Sequence, residues 1–145
     1  MNVSHNFHML RIFLAIHGIL ILTAGVVLVI APDAIPAAVG IEIQPDAYLL
    51  CYLLAAMEFG MASLSWGAMT IADPNGLRII LGAFIVWHAV SASLEIYASA
   101  VGLSGAIWAN VTLRVLIVAL LAYLMPCRTV ALRRSSQEKI ARSGF

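Results

Sequence analysis

The sequence predicts an all-α protein, an antiparallel bundle of four transmembrane helices, and two observations carry this prediction. Of the 145 residues, 63% are hydrophobic and only 10% are charged, whereas soluble domains hold about 45–50% apolar and about 25% charged residues. The apolar residues also fall into four long runs, where a soluble bundle would alternate apolar stripes with charged faces. Lipid is therefore the solvent that this composition fits.

Each of the four apolar runs is long enough to cross a bilayer, which takes about 20 residues for a hydrocarbon core of about 30 Å. The first run is longer than the apolar segment of a cleaved signal peptide, about 7–15 residues, and three further runs follow it. We therefore keep it as a span of the mature protein. The predicted spans are residues 12–30, 47–72, 79–101 and 106–125, within one membrane domain of residues 1–126.

The positive charges predict that both chain ends lie in the cytoplasm. Lys and Arg beside the spans resist translocation, and here they stand on one side only, at Arg11, at Arg78 and in the tail 127–145. The connections 31–46 and 102–105 hold neither residue type. We expect the basic tail to be drawn to anionic lipid headgroups. We expect no nucleic-acid partner, because topology alone accounts for a basic cytoplasmic flank.

The connections between the predicted spans indicate how neighbouring helices run. Residues 73–76, with the sequence Asp-Pro-Asn-Gly, and residues 102–105 are composed of turn formers. Such short turns make the helices on either side antiparallel. The outer loop 31–46 is longer and partly apolar. It forms either a short amphipathic element on the membrane surface or an ordinary loop.

Small residues indicate surfaces for assembly. Small side chains four residues apart permit close approach of two helices in a membrane. Such pairs occur at Ser63 and Gly67 and at Ala89 and Ser93. Besides the lipid bilayer itself, we therefore expect a partner at these faces, either a second copy of the chain or the other subunits of a membrane complex.

The sequence holds none of the common cofactor or metal motifs. No CxxC pair, nucleotide-binding loop or zinc-ligand spacing occurs, so no metal site is predicted and no cofactor is named. The two cysteines, Cys51 and Cys127, are predicted to lie near opposite faces of the membrane. A disulfide between them is incompatible with that separation.

Ionisable and polar side chains inside the spans are the most informative feature. A charged side chain in the hydrocarbon costs about 2.5–3.5 kcal/mol on insertion scales, so such groups usually face the bundle interior and a partner. Counting about 1.5 Å per residue from the outer ends of the spans places four of these side chains near the midplane and two nearer the outer side. The midplane set is His17, Glu58, His88 and Arg114, and the outer set is Glu95 and Asn110.

Helical spacing predicts how these side chains meet. Residues four or seven apart share a helix face, which places Asn110 beside Arg114. By the same spacing His88 lies beside Glu95. The face of Glu58 is predicted to carry Cys51, Ala55, Ala62 and Ser65. We expect an ion pair between Arg114 and Glu58 at the centre of the bundle, with His88 within hydrogen-bond reach. We expect Asn110 to bond Glu95 above this pair.

The predicted cluster holds two carboxylates and two histidines against one arginine, more charge than a network that only fixes helix register needs. One function that fits is a site for a small ligand or ion with coupled protonation at Glu58 or Glu95. Another is an enzyme on a lipophilic substrate, in which a carboxylic acid donates a proton and His88 accepts one; a quinone fits the same cavity. A third is an iron held between His17 and His88. The remaining alternative is a structural or assembly subunit with no site of its own.

The candidate residues divide into two groups. The side chains assigned to proton transfer are Glu58, His88 and Glu95. Trp87 lies near the midplane, so its ring either lines a ligand cavity or packs against lipid. The side chains assigned to ligand contact, for a lipophilic small molecule, are Asn110, Arg114, Trp87 and His17.

Several short motifs resemble small uncharacterised bacterial four-helix membrane proteins, broadly the DoxX-like ones. The motifs are Ala31-Pro32, Gly40-Ile41, Trp87-His88-Ala89 with Tyr97, and Trp108-x-Asn110. The resemblance implies the four-helix fold and a multi-pass protein of the bacterial inner membrane, with no established reaction. It also implies that His88 and Asn110 are positions that the family pattern uses, whereas Arg114 departs from that pattern.

Overall fold

The computed structural model describes residues 3–102 and 106–125 of the protein. Within these residues the regular secondary structure is all helical, with no β-strand, which confirms the all-α part of the predicted fold class. The α-helices are α1 (Val3–Ile30), α2 (Ala34–Ala38), α3 (Tyr48–Ala68), α4 (Pro74–Ala100) and α5 (Trp108–Leu124), and a 3-10 helix covers Pro45–Ala47. The predicted basic tail 127–145 with Cys127, and residues 103–105, lie outside the described residues.

Three of the described segments are long and apolar enough to cross a membrane. They are Phe7–Ile30, Pro45–Ala68 and Pro74–Ala100, with 24, 24 and 27 residues. At about 1.5 Å per residue, 24 residues extend about 36 Å, more than the hydrocarbon core of about 30 Å. α5 is apolar too but has 17 residues, which extend about 25 Å. Length and composition therefore fit a multi-pass membrane protein, while a fourth span stays a prediction.

The outward faces of the long helices, α1, α3, α4 and α5, carry large apolar side chains. Ile19, Leu53, Leu94 and Leu116, one from each long helix, are all more than half exposed. Soluble monomers rarely expose apolar surface on this scale, because such patches drive association in water. The exposed surface is therefore suited to contact with lipid.

The break between α3 and α4 covers residues 69–73, earlier in the chain than the predicted turn 73–76. Asp73 caps α4, because its carboxylate accepts hydrogen bonds from the backbone N–H groups of Asn75 at 3.3 Å and Gly76 at 2.7 Å. Pro74 occupies the first helical position, where its missing N–H leaves no hydrogen bond unmade. These residues therefore begin α4 instead of standing outside it.

The four long helices associate as two pairs. α1 packs mainly on α3, and α4 packs mainly on α5, whereas α1 with α5 and α3 with α4 touch over smaller areas. The hydrogen bonds between α4 and α5 join progressively earlier residues of α5 to later residues of α4. α4 and α5 therefore run antiparallel, as the short connection between them predicted.

Two glycines let α1 and α3 approach closely. A Cβ atom placed at Gly18 would lie 2.5 Å from Nε1 of Trp66, and one placed at Gly25 would lie 2.7 Å from Cε1 of Phe59. The two glycines and the two rings are each seven residues apart, or two helical turns, so each ring fills the space over one glycine. Because the later glycine meets the earlier ring, α1 and α3 also run antiparallel.

The apolar core is shared at one end of the bundle and divided at the other. At the N-terminal end, where α1 begins, one cluster draws on every long helix; its members are Leu10, Leu14, Ala68, Leu77, Leu81, Phe84, Leu121 and Leu124. At the opposite end, called the loop end because residues 31–46 lie there, each helix pair has a cluster of its own. These clusters are Leu28, Cys51 and Ala55 for the first pair and Ala92, Ile107 and Val111 for the second.

Residues 31–46 join the two clusters at the loop end. Ile35 and Ile43 pack against the cluster of the first pair, and Val39 packs against that of the second. The loop contains the five-residue helix α2, which ends before Gly40 with a positive φ of 77°. Left-handed backbone of this kind is open to glycine without a Cβ clash. The loop therefore contains a short helix and contacts both helix pairs, while its placement on the membrane surface stays a prediction.

Replacing Gly25 by Ala tests the packing of α1 on α3. The new methyl group would meet the Phe59 ring and, at 3.2 Å, Cβ of Glu58, and overpacking of this kind typically costs about 1–3 kcal/mol. We expect Gly25→Ala to lower the thermal unfolding temperature in detergent.

Gly60→Ala is the matched control. Among the described residues nothing lies within 4 Å of a Cβ at Gly60, and Ala favours a helix interior over Gly by about 1 kcal/mol. The control should unfold at the wild-type temperature or above it. A Gly25→Ala protein as stable as the Gly60→Ala protein would contradict the close approach.

Candidate functional site

Polar side chains from all four long helices form one hydrogen-bonded series inside the bundle. The series runs from α3 through α1 to α4 and α5, so it joins the two helix pairs. Burial in an apolar surrounding strengthens such bonds and makes an unmade one costly. We call this series the polar chain; its members are Ser65, His17, His88, Arg114, Glu95 and Asn110.

A direct contact between two histidines connects the pairs. Nε2 of His17 lies 2.9 Å from Nε2 of His88, and both side chains are almost fully buried. The Phe13 and Phe84 rings pack on the His17 imidazole, with centroids 5.7 and 5.1 Å away. On its other side, Nδ1 of His17 lies 2.8 Å from Oγ of Ser65. The two histidines thus lie at one level, as their predicted depths indicated.

Arg114 at one end and Ser65 at the other require the same order of donors and acceptors in the hydrogen bonds between them. Arg114 is always a donor, and its Nη1 lies 3.5 Å from Nδ1 of His88, a long contact in which the imidazole nitrogen accepts. His88 then carries its proton on Nε2 and donates it to Nε2 of His17, which leaves the His17 proton on Nδ1. That proton is donated to Ser65, whose hydroxyl donates in turn to the Met61 carbonyl at 3.0 Å. Both imidazoles are therefore neutral, with opposite tautomers assigned from the hydrogen-bond geometry.

Arg114 forms an ion pair with Glu95. Its Nε donates to Oε1 of Glu95 at 2.8 Å, and Nδ2 of Asn110 donates to the same oxygen at 2.7 Å. The guanidinium carbon lies 5.5 Å from the Trp87 ring centroid, within the range of a cation–π contact. The predicted bond between Asn110 and Glu95 is confirmed. Trp87 contacts the polar chain through Arg114. We call the polar chain, Trp87 and Glu58 together the polar cluster.

The predicted ion pair between Arg114 and Glu58 is wrong. α5 lies against α4 and α3 lies against α1, so the carboxylate within hydrogen-bond distance of Arg114 is the one on α4. Among the described residues, no hydrogen bond or ion pair joins Arg114 to Glu58. The sequence pattern located both charges inside the bundle, but it contains no information on which helices are neighbours.

Glu58 is a largely buried residue whose carboxyl oxygens are not fully enclosed and form no hydrogen bond with the described residues. Only 7% of the residue is exposed, and no donor in the described part of the chain reaches its oxygens. Its neighbours on the same face of α3 are Cys51, Ala55, Ala62 and Ser65, all buried, as the helical spacing predicted. Oε2 of Glu95 is likewise buried and, among residues 3–102 and 106–125, has no partner. Two acceptor groups in the bundle interior are therefore left without donors.

Glu58 and Glu95 lie in one layer, nearer the loop end than the histidines. Ser65 and His88 both contact His17, which places them at one level. Glu58 precedes Ser65 by seven residues and Glu95 follows His88 by seven, so each lies about 10 Å further along its helix toward the loop end. The predicted depths had separated the two carboxyl groups, because they assumed that the start of α3 and the end of α4 lie at the same height.

This arrangement limits the roles open to the histidines. Both nitrogens of His88 are occupied, by His17 and Arg114, so His88 has no free nitrogen for a substrate proton. The distance of 2.9 Å between the two Nε2 atoms is shorter than the separation of about 4 Å that two opposed metal–nitrogen bonds of about 2.0 Å require. The described residues hold no group of three or more His, Cys, Asp or Glu side chains arranged for a metal ion.

Sequence reasoning placed Ser65 on the Glu58 face and assigned it no role. In the structure Ser65 anchors the polar chain on α3 by accepting from His17 and donating to Met61. The signal was present, because Ser65 follows Glu58 by two helical turns. A serine is common in membrane helices, however, and its partner on α1 is visible only once the helices are packed.

The tautomers of the two histidines provide a direct test of the polar chain. We expect nitrogen-15 NMR of the protein in lipid to show His17 protonated on Nδ1 and His88 protonated on Nε2. His5 and His8 are first changed to Gln, so that only His17 and His88 contribute imidazole signals. Ser65→Ala should move the His17 signals more than the His88 signals, since only His17 loses its acceptor. An imidazolium, or the same tautomer at both positions, would contradict the assigned direction.

The comparisons with protein-family models, with curated proteins and with solved structures found no match to this chain. The resemblance to DoxX-like proteins therefore stays a prediction. Any function has to be argued from the geometry of the polar cluster itself.

Proposed function

We propose that the polar cluster is a membrane-embedded site at which Glu58 binds a small ligand or exchanges a proton. The observation that carries this proposal is that Glu58 is only 7% exposed and that its carboxyl has no hydrogen-bond donor among the described residues. An ionised carboxylate buried without a partner costs several kcal/mol. A proton or a ligand therefore has to occupy the place that the described residues leave open.

The charge of the cluster supports the same function. Glu58, Glu95 and Arg114 carry two potential negative charges against one positive charge, and the positive charge is bound to Glu95. A network that only fixed helix register would be complete with the ion pair and the polar chain. Glu58 adds a charge that this network does not use, so a structural subunit explains less of the cluster than a binding site does.

The division of the apolar core supports access from one side. The cluster shared by all four long helices closes the N-terminal end below the histidines, while the loop end has separate clusters. A ligand would reach Glu58 between the two pairs, from the loop end or from the bilayer. The enzyme alternative retains Glu58 as an acid but loses His88 as the base, because both nitrogens of that histidine are occupied.

We propose further that α5 is the fourth span and that both chain ends lie in the cytoplasm of a bacterial cell, with the protein in the inner membrane. A helix of 17 residues falls short of the hydrocarbon core by about one turn, which thinning of the bilayer accommodates. The distribution of Lys and Arg supports the orientation. The location is the one that the DoxX-like resemblance implies.

Cysteine labelling tests the orientation. In a chain carrying Cys51→Ala and Cys127→Ser, the exposed residues Glu42 and Asn75 are changed one at a time to Cys. We expect a membrane-impermeant maleimide to label the Glu42→Cys protein in intact spheroplasts and the Asn75→Cys protein only after permeabilisation. The reverse pattern, or labelling of both proteins in intact spheroplasts, would refute the topology.

Binding that depends on Glu58 tests the function. The protein in nanodiscs is challenged with three probes, tetraphenylphosphonium, benzylammonium and decylubiquinone, while its thermal stability and the release of protons are measured. We expect at least one probe to stabilise the wild type, by about 2.7 kcal/mol at a concentration of 100 Kd. Glu58→Gln should abolish this response.

Glu42→Gln is the control for this experiment, because Glu42 is an exposed carboxyl in the outer loop. It should respond to the probes as the wild type does. The function is refuted if no probe stabilises the wild type, or if Glu58→Gln responds equally to every probe that does.

A further inference from the structure

The carboxyl oxygens of Glu58 and Glu95 receive fewer hydrogen bonds than they can accept. Oε1 of Glu95 accepts from Asn110 and Arg114, but Oε2 is buried and, in the described part of the chain, accepts nothing. The Glu58 carboxyl in the same layer likewise accepts no hydrogen bond from residues 3–102 or 106–125. Buried acceptors without donors are rare in proteins, since each costs about 1–3 kcal/mol, and more for a charged group. A ligand that supplies hydrogen-bond donors at this level would satisfy both groups.

The charge specifies the donor further. With Arg114 bound to Glu95, one positive charge would balance Glu58. A cation that also carries several N–H groups supplies the charge and the donors together, and a primary ammonium has three N–H donors on a compact head. A quaternary ammonium has the charge without the donors, and an alcohol has a donor without the charge.

The surroundings of this layer are apolar on both sides. Toward the loop end, Leu28 and Ala55 line the first helix pair, and Ala92 and Val111 line the second. A ligand held at Glu58 would place the rest of its body between these side chains. Burial of apolar surface contributes about 25 cal/mol per Å², so an apolar body is favoured over a polar one.

We propose that the site binds an amphipathic primary amine, with its ammonium group between Glu58 and Oε2 of Glu95 and its apolar body between the two clusters at the loop end. This inference rests on the proposed function and adds the chemical class of the ligand. It requires N–H donors and positive charge in the same head group.

A series of three probes with one benzyl body separates charge from hydrogen bonding. Benzylammonium has both, benzyltrimethylammonium has only the charge, and benzyl alcohol has only a donor. Binding to the protein in nanodiscs is measured by isothermal titration calorimetry. We expect benzylammonium to bind at least about tenfold more tightly than either relative, because hydrogen bonds to charged groups contribute enough for that ratio.

Two variants locate the binding. Glu58→Gln should weaken benzylammonium at least about tenfold, since it removes the unpaired charge, whereas Glu42→Gln on the exposed loop should leave its affinity unchanged. Equal or tighter binding of benzyltrimethylammonium or benzyl alcohol, with dependence on Glu58 retained, would overturn the amine inference and leave the proposed function standing. Absence of binding by every probe of both series, or affinities that Glu58→Gln leaves unchanged, would overturn both.

Discussion

The hydrogen bond between His17 and His88 is the contact on which the arrangement of the helices depends. It joins two helix pairs that otherwise share apolar packing mainly at one end of the bundle. Interhelical hydrogen bonds in membranes contribute about 0.6 kcal/mol on average and up to about 1.7 kcal/mol. Leaving buried nitrogens unpaired costs about 1–3 kcal/mol each. The bond therefore acts less by its own strength than by excluding packings that separate the histidines.

The same contact divides the interior into two parts with different chemistry. Toward the N-terminal end, Leu14, Leu81 and Phe84 belong to one cluster that all the long helices share. Toward the loop end each pair has its own cluster, and the close packing at Gly25 keeps α1 on α3 rather than on α4. The carboxyl groups lie in this divided part, where the protein supplies fewer donors than acceptors. The site is thus a consequence of how the pairs are packed.

The sequence predicted the helices and their buried faces well, because both depend on spacing within one helix. Seven-residue spacing placed Glu58 and Ser65 on one face of α3, and the same spacing placed His88 and Glu95 on one face of α4. It did not predict the partner of Arg114, because that depends on which helices are adjacent, and charge complementarity allowed either carboxylate. Nor did it predict the contact of Gly18 with Trp66, since the glycine leaves no pattern until a ring from another helix covers it.

The binding site at Glu58 and Glu95 is best tested by a crystal structure of the protein with benzylammonium, from crystals grown in a lipid mesophase. We expect electron density for the probe within hydrogen-bond distance of both Glu58 and Oε2 of Glu95, with the His17–His88 bond intact beside it. A Glu58 carboxylate paired directly with Arg114, with no space beside it and the probe elsewhere, would contradict a binding site at Glu58. The polar cluster would then be a network that only fixes helix packing.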